Sequence, residues 1–127
     1  MNTDLAVVRL ADAVRVEAPD GSQVDILAGS ERGSMARFSL ASGLVSKAVR
    51  HRTVEELWYF IAGGGHMWRS YAGREDIVEV TPGLSLSIPV GAAFQFKSTG
   101  PGTLEAIGVT MPPWPGADEA EFVAGKW

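Results

Sequence analysis

The sequence predicts an all-β chain folded as a sandwich or barrel, and three observations predict it. No apolar pattern holds helical period for three turns. Short runs of alternating or β-branched residues recur instead, each bounded by Gly, Pro, Asp or Ser. The 15 Gly and 7 Pro exceed ordinary usage, as a chain of many turns requires.

Taken in order, the first dozen residues hold an edge strand or a short turn. Residues 14–27, VRVEAPDGSQVDIL, read as two strands around Asp20-Gly21, because Gly accepts positive φ in a tight hairpin. SMARFSLASG (34–43), GLVSKAVRH (43–51), EELWYFIAG (55–63) and HMWRSYAG (66–73) follow as strands. DIVEVTPG (76–83), LSLSIPVG (84–91), AFQFKSTG (93–100) and TLEAIGVTM (103–111) continue at similar spacing. Strand pattern ends after Pro112, and in the tail over 112–127 only ADEAEFVAG has the composition for a short helix.

The 127 residues suit one domain over 1–127 and one core, with no internal repeat or linker. A net charge of -4 with scattered Lys and Arg leaves no basic field for nucleic acid. Cysteine is absent, which removes disulfides and thiolate chemistry. No basic leader precedes an apolar segment and no apolar run approaches a membrane span, so the expected location is the cytoplasm, without membrane contact.

The stretch HRTVEELWYFIAGGG (51–65) carries the chemistry. Residues two apart in a strand share a face, so Glu56, Trp58 and Phe60 point one way while Glu55, Leu57, Tyr59 and Ile61 point the other. His51 and Glu56 are five apart, an odd interval that needs a turn or bulge near 52–55 before both can face one interior. Gly43, Val49, His51, Glu56 and Gly63 stand at the intervals Gly-x5-x-x-His-x4-Glu-x6-Gly. Gly83, Pro89, Gly91, Phe94 and Ser98 stand at Gly-x5-Pro-x-Gly-x2-x-x3-x. These two stretches, about 43–63 and 83–98, resemble the first and second motifs of the cupins, small RmlC-like jelly-roll proteins. The resemblance implies a single-domain jelly-roll β-barrel, which in many relatives holds a divalent metal on three His and one Glu. Here the first His position is Val49, the third is Phe94, and the final Asn position is Ser98. Only His51 and Glu56 of the implied ligands remain.

Catalytic zinc keeps three protein ligands and non-haem iron two His and one carboxylate, so two anchors fall short. His66 is the remaining histidine. If the strand over 55–63 folds back at Gly63–Gly65, His66 pairs near Ala62, roughly 20 Å from Glu56 along the strand. The expectation is therefore no cofactor, with a divalent Zn, Ni, Mn or Fe ion on His51 and Glu56 as the alternative. Without a metal, a buried carboxyl beside an imidazole is an acid/base couple able to exchange a proton near neutral pH.

Val49, Trp58, Phe60, Phe94 and Phe96 share the interior parity and form the expected pocket for a small molecule. Gln95 has the opposite parity and is expected outside. Arg50 and Arg52 flank His51, where they would meet an anionic ligand or simply solvent. Gly63–Gly65 lack the following helix of a phosphate loop and read as a turn. The proline-rich 111–116 segment plants Trp114 as a lid, a dimer contact or a strand cap, and Trp127 points to docking on a partner subunit in a homodimer. Three functions follow: a small-molecule-binding barrel with acid/base chemistry by His51 and Glu56; a metal-dependent isomerase, epimerase or oxygenase; and a non-catalytic dimeric binding or regulatory barrel.

Overall fold

The computed structural model describes residues 5–127, and in it the alternation of the sequence becomes a two-sheet jelly roll. The strands are β1 (Val14–Glu17), β2 (Gln23–Gly29), β3 (Ser34–Leu40), β4 (Val49–His51), β5 (Glu55–Ala62) and β6 (Gly65–Tyr71). They continue as β7 (Arg74–Val80), β8 (Ser85–Ile88), β9 (Ala93–Ser98), β10 (Leu104–Met111) and β11 (Ala120–Phe122). One antiparallel sheet has the order β1-β2-β3-β10-β5-β8 and the other β11-β4-β9-β6-β7. Of the first dozen residues, 1–4 lie outside the described residues, and Leu10–Asp12 form a 3-10 turn. No helix among the described residues is long and apolar enough to cross a membrane.

Alternation decides which faces meet. On β5, Glu56, Trp58 and Phe60 are buried while Leu57 and Tyr59 are about half exposed. From the opposite sheet come Val49, Met67, Phe94 and Phe96, all buried, and Trp58 touches Phe60, Phe94 and Phe96 at ring-centroid distances of 5.9, 6.0 and 5.2 Å. Burying apolar side chains of this size contributes roughly 1.5–3 kcal/mol each, which makes this aromatic cluster the principal anchor between the sheets.

Four expectations change on contact with the fold. The 43–51 run is strand only at Val49–His51, with one isolated bridge from Val45 to Lys97. The Lys47 N–H leaves the sheet to donate to Asp20 O, at 2.7 Å, in the β1–β2 loop. Gly63–Gly65 do not close a hairpin either, since β5 and β6 lie in different sheets and the glycines carry the chain across. A Cβ on Gly63 would strike the backbone of Thr103 and Leu104, and one on Gly65 would lie inside the carbonyl of Lys97.

The tail makes a single 3-10 turn at Ala117–Glu119 and then pairs as β11 with β4, Ala120 opposite His51. The open edge of β4 and the bonds made by the Glu119 carboxylate, which accepts from Thr53 N, Thr53 Oγ1 and Val54 N, outweigh the helical composition. Gln95 does lie on the outward parity of β9, yet it is buried, because the tail folds over it. Its amide nitrogen donates to Ser46 O and Trp127 O, and its oxygen accepts from Lys126 N and Trp127 N, all within 2.9–3.0 Å.

Candidate functional site

At one end of the sandwich the aromatic core gives way to a cavity of about 360 Å³. Val49, Trp58 and Phe94 line it, whereas Phe60 and Phe96 lie deeper, in solid core. The wall nearest β3 is a flat one. The Phe38 and Trp58 rings stack at 4.5 Å and 8°, an arrangement allowed because Gly108, opposite Trp58 on β10, has no Cβ to collide with Phe38.

The odd interval between His51 and Glu56 is resolved by a change of sheet. β4 ends at His51, the loop 52–54 crosses, and β5 begins at Glu55. The two side chains then converge, with His51 Nδ1 3.4 Å from Glu56 Oε1, both residues 5% exposed or less. Thr110, on the neighbouring β10, donates its hydroxyl to Glu56 Oε2 at 2.7 Å. Trp58 Nε1 lies close enough to favour the carboxylate but makes no hydrogen bond of proper geometry, and His51 Nδ1 likewise has none.

Burial sets the protonation of the pair. It pushes the Glu56 carboxyl up to about 7, against the smaller opposing pulls of Thr110 and Trp58. Burial also pushes His51 down to about 4, with nearby Glu119 acting weakly the other way. The imidazole is held edge-on between Phe94 and Trp114, with ring centroids at 5.2 and 5.1 Å, so it has little water to support a positive charge. No imidazolium therefore stands at position 51 at neutral pH, and Glu56 titrates beside a neutral ring.

Three further lining residues carry the site. Trp114 covers His51 and is fixed by its own N–H, which donates to Ser34 Oγ at 3.0 Å. Thr110 occupies an interior position of β10. Asp20 lines the cavity from the β1–β2 loop, 6% exposed, its Oδ1 accepting from Ser22 N and Ser22 Oγ at 2.9 and 2.6 Å. A turn-forming Asp-Gly pair gives no sign of an inward carboxylate, so the local sequence concealed it. By contrast, Arg50 and Arg52 point to the tail, where both meet Glu121 at 3.3 Å and Arg52 Nε donates to Asp118 O. His66 stands on β6 between Lys97 and Glu79, on the parity opposite to the buried Met67 and away from the cavity.

The positions the motif gives to further ligands, Val49 and Phe94, face each other across β4 and β9. Among the described residues no group of three His, Cys, Asp or Glu side chains is placed to hold an ion. These residues do not fit a metal centre of the kind the motif describes.

Fold and site together define the class: a cupin-type jelly roll whose motif ligands are half replaced by apolar side chains. Solved structures show the same fold at low identity. The capsular polysaccharide assembling protein CapF from Staphylococcus aureus aligns with TM-score 0.71 and 16% identity over 89% of this chain. A Streptomyces PAC13 variant with uridine, of a protein described as a nucleoside dehydratase, aligns with TM-score 0.73 and 10% identity over 96% of this chain and 92% of its own. An oxalate decarboxylase variant from Bacillus subtilis aligns with TM-score 0.74 and 17% identity over 91% of this chain. The chain spans 34% of CapF and 31% of the decarboxylase. No protein-family model matches the sequence, and no curated protein matches it.

Proposed function

We propose that the cavity binds a small molecule and that Glu56 and His51 move protons on it. The observation that carries this reading is the pair itself: a carboxyl with a pKa of about 7 beside a neutral imidazole, on the wall of an open, largely apolar cavity. A merely structural pair would be expected to satisfy its own hydrogen bonds. Here the pair lines the cavity, and among the described residues neither His51 Nδ1 nor Trp58 Nε1 makes a hydrogen bond of proper geometry.

Near neutral pH Glu56 is divided between carboxylate and acid, the condition for efficient general acid/base work. As carboxylate it takes a proton from a ligand C–H or O–H bond, and the electron pair stays on the ligand. The proton then returns from Glu56 at a second position or to a departing group, giving isomerisation or elimination. Trp114 and Phe94 keep bulk water from the exchanged proton.

Native mass spectrometry of the purified protein, followed by titration of its indole emission with any molecule found, tests the proposal. Glu56→Gln keeps the shape and the acceptor for Thr110 but makes the second oxygen a donor, so binding weakens by about tenfold at most while turnover falls about 100-fold or more. A wild-type protein that carries nothing and binds none of a broad metabolite panel would refute the reading.

A further inference from the structure

The cavity has charge of one sign. Among the described residues its ionisable lining groups are Glu17, Asp20, His51 and Glu56, and no Lys or Arg side chain lines it. The nearest cations in sequence do not line it: Arg15 and Arg37 pair with Asp25, Arg50 and Arg52 with Glu121, and the Lys47 ammonium lies 5.5 Å above the Phe122 ring, from where its charge acts on Asp20. His51 is neutral at physiological pH and adds no positive charge. An anion entering this space would shed its water and meet carboxyl groups without a counter-ion, a strongly unfavourable exchange.

Asp20 gives the cavity a second polar point. Ser22 occupies only Oδ1, and Oδ2 accepts nothing from the described residues although the side chain is buried. Burial holds this carboxyl above its ordinary range, while the Ser22 hydrogen bonds and Lys47 pull it back. An acceptor with no partner among the described residues, on a side chain that lines the cavity, is open to a donor from a guest molecule. The cavity thus offers a free acceptor at Asp20 as well as the Glu56 carboxyl, and its apolar wall includes the Phe38–Trp58 stack.

From this arrangement we propose that Asp20 is the second anchor of the cavity, and that its ligand is an uncharged, hydroxyl-bearing ring which donates to Asp20 and Glu56 and lays an apolar face against the aromatic wall. Anionic counterparts of the same ring are rejected. The assignment rests on the binding reading above and names the chemistry of what is bound.

Matched probes test it: uridine against uridine 5′-monophosphate and methyl glucoside against glucuronate, titrated into the wild-type protein and Asp20→Asn at one pH and ionic strength. In the wild type at least one neutral probe binds ten times or more tighter than its anion. Asn keeps the acceptor for Ser22, so the melting temperature holds, but it replaces the free acceptor by a donor, and the neutral probe weakens about tenfold. Equal or tighter binding of the anions, or neutral binding unchanged in Asp20→Asn, overturns this proposal while leaving the binding reading intact. Absence of binding by every probe, with no molecule carried by the purified protein, overturns both. The neutral-to-anion comparison needs no variant, so it decides even if Asp20→Asn fails to fold.

Discussion

Glu56 holds its proton more tightly in the folded chain than in the unfolded one, where its pKa is near 4.5. The folded state is thus progressively penalised as pH rises from about 4.5 through 7, and the penalty is complete above that. His51 acts in the opposite sense: its folded pKa of about 4 lies below the ordinary 6.5, so its contribution is lost as pH falls through that interval. Glu56→Gln should consequently exceed the wild type in stability by on the order of 2 kcal/mol at pH 8, and by much less at pH 4.5. Denaturant melts at the two pH values check the sign and the closing of the gap. The interval between His51 and Glu56 made this pair legible in the sequence. Asp20 and Thr110 were not, because an Asp before Gly reads as a turn former and a Thr in an alternating run reads as strand. Their roles depend on what lies across the cavity.

At the scale of elements, strand faces were readable and crossings were not. Alternation identifies the buried side of β5 or β9 whichever strands pair with it, but it does not say which sheet receives the next segment. The glycine run at 63–65 shows the difference. It serves close approach of neighbouring strands within one sheet as well as the crossing, since Gly65 of β6 pairs with Ser98 of β9 and sits against the Lys97 carbonyl. Gly65→Ala is expected to cost about 3 kcal/mol or more, because backbone rather than a mobile side chain must give way. Gly108→Ala meets only the Phe38 ring, which can swing aside, so its effect on stability should be smaller. Comparing the two denaturation midpoints tests this ranking. The helix expected in the tail failed for a related reason: three residues of edge pairing with β4 and the carboxylate bonds of Glu119 are tertiary interactions, invisible to local composition.

Over the whole molecule, the tail seals the outer face of the β11-β4-β9-β6-β7 sheet. Trp127 lies with its ring 4.4 Å from Lys97 Nζ, while its backbone engages the Gln95 amide of the same chain. Removing residues 124–127 opens Gln95 to water and deletes these contacts. The expected loss is about 1–2 kcal/mol, measurable as a lower denaturant midpoint, with faster amide exchange concentrated in β9. Ligand affinity should change little, because none of the deleted residues lines the cavity.

The crossing after His51 leaves the two members of the buried pair on different sheets, His51 with β4 and Glu56 with β5. No strand ladder fixes their 3.4 Å separation; it is set by the thickness of the aromatic filling between the layers. A Trp58 or Phe94 that shifts when a guest molecule wedges in would change that thickness, and with it the burial that holds the Glu56 carboxyl at about 7. The sandwich thereby works as a caliper, turning a mechanical displacement of its layers into a change of acidity at a single point.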